Sequence, residues 1–304
     1  MAIPETTTVL RLREPTGVEG LKVERIPTPQ PRADEALVRV HAAALTRDEL
    51  EWPIDRLPAI PSSELSGVVV SAGDEVEGIA PGDAVYALTP FDRDGVAAEH
   101  AVVPAEVLAP KPRTLDHVEA AAVPMPALTA WQGLFEHGEL GKGQRVVVHG
   151  AGGDVGACAV QLARWGGAHV IGTASTATLD LIRSVGADEL LDRDEAFREI
   201  TDVDLVFDTV GGDALARSGA LVRSGGKIVS VAEEPPAALS ELDAVYFVVR
   251  PDRDQLVEIT RLVDSNVLRP AIDSVFSLAE ARAAFERSLQ PGKRGKVVLR
   301  LVDA

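Results

Sequence analysis

The 304-residue sequence predicts an α/β chain of two domains: a barrel-like β domain, and a doubly wound domain around a parallel sheet. Three observations predict it. Short apolar runs broken by Pro and Gly fill the first third. Strand and helix patterns alternate from Gln144 onward. Between them, the run from Arg145 to Gly156 joins an apolar strand to a glycine turn and a helix.

In the first third, strands are expected over 36–41, 66–71 and 83–88, separated by the Pro27–Pro31 segment and by turns at Gly73 and Gly82. The texture changes near residue 120, where a helix is expected over 127–137, ending at Gly138. Strands then follow over 145–149, 169–173, 189–191, 204–208, 227–231 and 244–249, with helices between them, such as 157–165 and 178–184. Such alternation implies a parallel sheet covered on both faces. The tail reads as helices over 255–263 and 279–288 and a strand over 295–301.

Composition limits the function classes. Hydrophobic residues make up 46% of the chain, ample for a large core. A formal net charge of -17 repels nucleic acid and anionic membranes. No apolar run reaches the roughly 18 residues of a membrane span, and the first residues lack the basic flank and apolar core of a signal peptide. One cysteine, Cys158, excludes an intrachain disulfide framework and a four-cysteine zinc lobe. A cytoplasmic protein without nucleic-acid or membrane partners is expected.

The apolar run Arg145–His149 meets glycines at 150, 153 and 156 before the next helix. Strand, glycine turn and helix together hold a dinucleotide pyrophosphate: glycines let the backbone approach the phosphates, and the helix N-terminus offers N–H donors and partial positive charge. Gly150, Ala151, Gly152, Gly153, Asp154 and Val155 are therefore the expected cradle. Asp154 complements the helix dipole and is expected to point away from the phosphates.

The end of the second strand distinguishes NAD from NADP, because an acid there binds the ribose hydroxyls and repels a 2′-phosphate. This chain has Thr173, Ala174, Ser175 and Thr176 there and no acid, which favours NADPH. Strand carboxyl ends line the ligand crevice in such sheets, which brings in Asp208, Val210, Val231 and Ala232.

Taken in order along the chain, these pieces resemble the zinc-independent quinone oxidoreductases of the medium-chain dehydrogenase/reductase superfamily. The resemblance also draws on Ile60-Pro61-Ser62-Ser63-Glu64-Leu65-Ser66-Gly67, Pro81-Gly82-Asp83, Leu128-Thr129-Ala130-Trp131 and Gly292-Lys293-Arg294-Gly295-Lys296. It implies a GroES-like domain over 1–122, completed by 267–304, and a Rossmann domain over 123–266. It implies hydride transfer from NADPH to a quinone or an α,β-unsaturated carbonyl in a cleft between the domains. Phe247, Val248 and Lys296 complete the cofactor contacts so implied.

Zinc-dependent relatives hold the metal with a cysteine and a Gly-His-Glu segment. Leu45 stands at the cysteine position, and Ser62-Ser63-Glu64 replaces Gly-His-Glu, so no zinc is expected. The six histidines, at 41, 100, 117, 137, 149 and 169, show no ligand spacing. The cleft candidates are Thr46, Asp48, Ser63 and Thr129, and no residue stands out as a general acid. The strand at Tyr246 implies a homodimer, since the corresponding strand pairs between subunits in this family. Rival readings are an enoyl-thioester or alkenal reductase and a non-catalytic NADPH-binding sensor or structural protein.

Overall fold

The computed structural model describes residues 3–302, apart from 53, 175–182, 184, 193–196 and 198–199 and the side chain of 174. The expected helix over 178–184 falls almost wholly outside the described residues, as do Ser175 and Thr176. The chain forms two compact units.

The first unit comprises residues 1–124, 250–264 and 272–304. Strands β1 (Thr6–Leu12) and β2 (Leu21–Pro27) form an antiparallel ribbon. A larger sheet contains β3 (Glu35–Leu45), β4 (Glu64–Ala72), β5 (Ala84–Leu88), β6 (His100–Pro104), β7 (Ala109–Pro110), β14 (Ile272–Ser277) and β15 (Lys296–Arg300). Its order is β14-β15-β3-β4-β5-β7, with β6 also on β3. Its pairings are antiparallel except β14 with β15. Alternating apolar residues such as Val38, Val40, Leu65 and Val85 fill its core together with Phe285. Strand β5 starts one residue later than expected, because the Asp83 carboxylate accepts the Ala80 N–H at 2.8 Å and closes the preceding turn. Helix α1 (His117–Ala121) is fixed by a capping box between Asp116 and Glu119.

The second unit, residues 125–249 and 265–271, is built on six parallel strands. These are β8 (Arg145–His149), β9 (His169–Ala174), β10 (Glu189–Asp192), β11 (Val203–Asp208), β12 (Val222–Ser230) and β13 (Asp243–Tyr246), in the order β10-β9-β8-β11-β12-β13. The order reverses beside β8, the topological switch point of a doubly wound sheet. The central Val146, Val147 and Val148 are fully buried, as a strand covered on both faces requires. Helices α2 (Pro124–Trp131), α3 (Asp154–Trp165) and α4 (Gly212–Arg217) accompany the sheet.

Three expectations shift. The helix expected over 127–137 changes to a wider π turn at Gln132–His137. There Gly133 lies so close to Phe207 that a Cβ would fall 2.2 Å from its ring. The strand expected over 244–249 stops at Tyr246, because its partner β12 ends at Ser230. The resemblance implies that the Rossmann domain runs through 266, but residues 250–264, which carry helix α5 (Arg253–Asp264), group with the first unit. Tyr86 accounts for this: its hydroxyl donates to the Leu256 carbonyl at 2.7 Å, while Arg253 Nε donates to the Leu108 carbonyl at 2.8 Å. Helix α6 (Ala281–Leu289) precedes the last strand. Among the described residues no helix is long and apolar enough to cross a membrane.

Candidate functional site

The glycine turn of the second unit is shaped by close approach. Gly150 sits at φ +74°, and a Cβ there would meet Thr209 Oγ1 at 2.4 Å. At Gly156 a Cβ would lie 2.2 Å from the Gly150 carbonyl oxygen, so only glycine lets α3 press onto the end of β8. Gly153 is the N-cap of α3 and brings no side-chain cap to its N–H groups. A Cβ on Gly153 would meet nothing closer than 3.4 Å, so the turn is open there. Ala151 N–H donates to the Thr173 carbonyl at 3.0 Å, which ties the turn to β9. Asp154 occupies the first turn of α3 and accepts its neighbour Val155 N–H at 2.9 Å. Gly152 is buried beside Ala151. This narrow cradle at a helix N-terminus fits a dinucleotide pyrophosphate.

Asp208 has a different role from the ligand contact expected of it. Its carboxylate is fully buried and accepts Gly211 N–H at 3.0 Å, Val210 N–H at 3.2 Å and the Ser230 hydroxyl at 2.9 Å. It braces the 208–211 turn, and burial pushes its carboxyl up despite those donors. Val210, on that turn, is exposed, as is Ala232, while Val231 is half-buried. His149 Nδ1 is 2.9 Å from Thr173 Oγ1, which ties β8 to β9 at their carboxyl ends. Phe247 is buried and stacks on His137 at 4.3 Å, whereas Val248 is 63% exposed. Thr129 donates its hydroxyl to the Met125 carbonyl of its own helix at 2.6 Å.

A second polar group lies in the barrel unit at the end of β3. Lys296 and Glu64 form an ion pair at 2.6 Å with side chains only 2% and 0% exposed. Lys296 Nζ also donates to Thr46 Oγ1 at 3.0 Å. The sequence placed Lys296 among cofactor contacts; the structure seals it within the barrel unit against Glu64, because β15 pairs antiparallel with β3 there. Glu49, 3% exposed, accepts the Thr46 N–H at 3.0 Å, and burial pushes its carboxyl up to about 8. Ser62, at φ +70°, donates to the Ala44 carbonyl at 2.8 Å, and the Ser63 carbonyl accepts Thr89 N–H at 2.7 Å. Asp48 points outward, 3.9 Å from Arg47.

These residues do not fit a catalytic zinc. Leu45 and Ser63 stand where a thiolate and an imidazole are needed, and the adjacent carboxylate already holds a buried ammonium that would repel a cation. Among the described residues no group of three His, Cys, Asp or Glu is placed to hold a metal ion.

Sequence reasoning singled out the glycine turn and missed the grouping of Glu49, Glu64 and Lys296. Glu49 follows Arg47 and Asp48 and reads as another surface charge. Only the pairing of β3, β4 and β15 reveals that it is inside.

Comparison with known proteins matches a family described as alcohol dehydrogenase GroES-like domain over 32–113, and one described as zinc-binding dehydrogenase over 185–299. The chain is 34% identical to "Probable zinc-binding oxidoreductase, mitochondrial" of Arthroderma benhamiae, over 99% of this chain and 95% of that protein. It is 32% identical to "NADPH-dependent alkenal/one oxidoreductase, chloroplastic" of Arabidopsis thaliana, over 93% of this chain and 76% of that one. Among solved structures, the quinone oxidoreductase from Coxiella burnetii aligns with a TM-score of 0.90 at 28% identity, covering 98% of this chain and 100% of that one.

Proposed function

The chain belongs to the quinone oxidoreductase family of the medium-chain dehydrogenase/reductase superfamily, and on that premise we propose that it uses NADPH to reduce quinones or α,β-unsaturated carbonyls without zinc. The observation that carries this reading is the pyrophosphate cradle from Gly150 to Val155, closed by Gly156 against the end of β8. When bound, reduced nicotinamide supplies a hydride to the acceptor.

Gly150, Ala151, Gly152 and Gly153 admit the pyrophosphate, and the start of α3 offsets its charge. Ser175 and Thr176 are the donors expected at a 2′-phosphate, in a strand end without an acid. Asp208 holds the turn that carries Val210 near the sugar. Thr46, Asp48, Ser63 and Thr129 are the residues proposed to border the acceptor. No side chain among them is assigned as proton donor; water protonates the hydroquinone anion or enolate. The quinone and enone acceptors are both electron-poor π systems, and the names of the Coxiella burnetii and Arabidopsis thaliana relatives support that class.

We also infer a cytoplasmic homodimer. Support comes from β13, the outermost strand of its sheet, followed by the exposed Val248. Light scattering on the purified protein at graded concentrations tests this; a monomer throughout would remove the dimer.

Turnover tests the central reading. Purified protein is mixed with NADPH or NADH, with and without 1,4-naphthoquinone or an alkenone, and nicotinamide absorbance is followed. Acceptor-dependent oxidation that prefers NADPH is expected. Saturable NADPH binding without turnover on any acceptor would transfer the protein to the non-catalytic reading.

A further inference from the structure

Helix α3 carries a second polar face at the end opposite the glycine turn. Gln161, Arg164 and Trp165 follow at i, i+3 and i+4 and share one side of the helix. With Val185, Val267 and Arg269 they line a cavity of about 610 Å³, whose described lining lies wholly within the second unit. Gln161 sets its geometry. It is only 9% exposed; its Oε1 accepts the Arg269 N–H at 2.9 Å and its Nε2 donates to the Arg269 carbonyl at 3.1 Å. Both backbone groups of residue 269 are thereby fixed on α3, on the face that carries Arg164. Arg164 Nη1 donates to the Gly186 carbonyl at 2.6 Å, and Arg269 Nη2 donates to Asn266 Oδ1 at 3.2 Å. Both acceptors are neutral, and neither guanidinium meets a carboxylate among the described residues. The described lining thus holds two positive charges and no negative one. Trp165 supplies a flat wall. Its ring packs against Trp131 at 5.8 Å and Phe135 at 6.2 Å, yet the residue stays 49% exposed.

Arg164 lies in the last turn of α3, where a cation offsets the negative end of the helix. That accounts for Arg164 but not for Arg269, which arrives from the 265–271 segment and leaves the cavity with surplus positive charge. In a chain of net charge -17, such a spot draws small anions that the rest of the surface repels. An exposed ion pair alone holds little in water, so a ligand kept there must also use the indole. We propose that this cavity binds a small aromatic anion, a flat ring bearing a carboxylate or a phosphate, with its acid group on the Arg164 and Arg269 guanidiniums and its ring on Trp165. The planar fork of arginine suits both acid groups, Val185 and Val267 add apolar lining, and the volume is that of a small-molecule site. The site is separate from the pyrophosphate cradle. Helix α3 has 12 residues, about 18 Å of helix, with the cradle at its first turn and the cavity at its last. The inference therefore holds whichever acceptor the protein reduces.

Calorimetric titration of the whole protein with 2-naphthoate and with 2-naphthyl phosphate, in the presence and absence of NADPH, tests this. One equivalent of at least one probe is expected to bind, equally well in both conditions. The tighter probe tells an aromatic carboxylate from a nucleotide-like phosphate ester as the class that fits. Arg269→Gln and Arg164→Gln are each expected to weaken that binding at least about tenfold, with melting temperature and NADPH affinity unchanged. Trp165→Leu is expected to weaken it about 2- to 10-fold. Arg269→Gln is the deciding variant, because its guanidinium meets only the Asn266 side chain and its loss leaves the Gln161 clamp on the backbone intact. Inorganic phosphate, which lacks a ring, is expected to bind more weakly than the phosphate ester. Gly153→Val, altered at the cradle, is expected to bind the probe as wild type does. Four results would overturn the proposal: no saturable binding of either probe, wild-type affinity in Arg269→Gln, inorganic phosphate held as tightly as the ester, or a probe lost in Gly153→Val or displaced by NADPH, which would return the anion to the cradle.

Discussion

Gly156 packs so tightly on Gly150 that a Cβ at 156 would lie 2.2 Å from the Gly150 carbonyl oxygen. Gly153, three residues earlier, has no atom nearer than 3.4 Å to its own imagined Cβ. The two glycines therefore predict separable failures. Gly156→Ala is expected to push α3 off β8, at a cost of about 1–3 kcal/mol, lowering the melting temperature together with NADPH affinity. Gly153→Val is expected to keep the melting temperature within a few degrees and lose NADPH affinity by at least about tenfold, because the added bulk fills the phosphate approach. Calorimetric melting and NADPH titration on both variants check this; equal NADPH affinity in Gly153→Val would displace the cradle.

That contrast marks how far the sequence could be read. Local signals carried the parallel sheet: Val146 to Val148 are apolar on both faces, and Gly150, Gly153 and Gly156 follow at the spacing a phosphate turn needs. What depended on distant partners was illegible. Asp208 at a strand end looks the same whether its carboxylate meets a ribose or the N–H groups of its own turn, and Ser230, which completes that network, is 22 residues away. Lys296 and Glu64 are separated by most of the chain, and only antiparallel pairing across β3 joins them. Helix α5 follows the last parallel strand in sequence, yet Tyr86 holds it to the barrel unit.

The Asp208 network predicts a loss even for a near-isosteric change. Both oxygens accept hydrogen bonds, so Asp208→Asn turns an amide N–H toward at least one donor. A destabilisation of about 1–3 kcal/mol is expected, with weaker NADPH binding as the 208–211 turn loosens. Denaturant unfolding measures the first and titration the second; an Asn variant as stable as wild type would refute the bracing role.

Glu49 predicts a stability that depends on pH. Its carboxyl lies at about 8 in the folded chain, against an ordinary 4.5, chiefly through burial, with Lys296 opposing and Glu64 reinforcing the rise. Between those values the folded chain keeps a proton that the unfolded chain has lost. Stability therefore falls as pH rises from about 4.5 to about 8 and levels off beyond. Glu49→Gln keeps an acceptor for the Thr46 N–H and removes the titration. The variant is expected to gain on wild type steadily across that window, measured by melting temperature; parallel curves would contradict it.

His117 acts in the opposite sense. It stacks on His41 at 4.3 Å, and its Nδ1 is 2.8 Å from Ser66 Oγ, whose own hydroxyl donates to the Val85 carbonyl. Burial, then His41 and Lys111, push His117 down to about 4 from 6.5, with Asp116 opposing. Below 6.5 the unfolded chain gains a proton that the folded chain refuses, so stability falls as pH drops from about 6.5 to about 4. His117→Asn retains a donor toward Ser66 and is expected to flatten that slope in melting temperature against pH; an unchanged slope would assign the acid sensitivity elsewhere.

The central claim is direct hydride transfer from a nicotinamide held at the glycine cradle to an unsaturated acceptor. NADPH deuterated at both C4 positions, incubated with the protein and an alkenone, tests it by mass spectrometry of the product. One deuterium at the carbon β to the carbonyl is the predicted result, with its loss in Gly153→Val. Reduced product carrying no deuterium, or labelled product from Gly153→Val at the wild-type rate, would contradict the account.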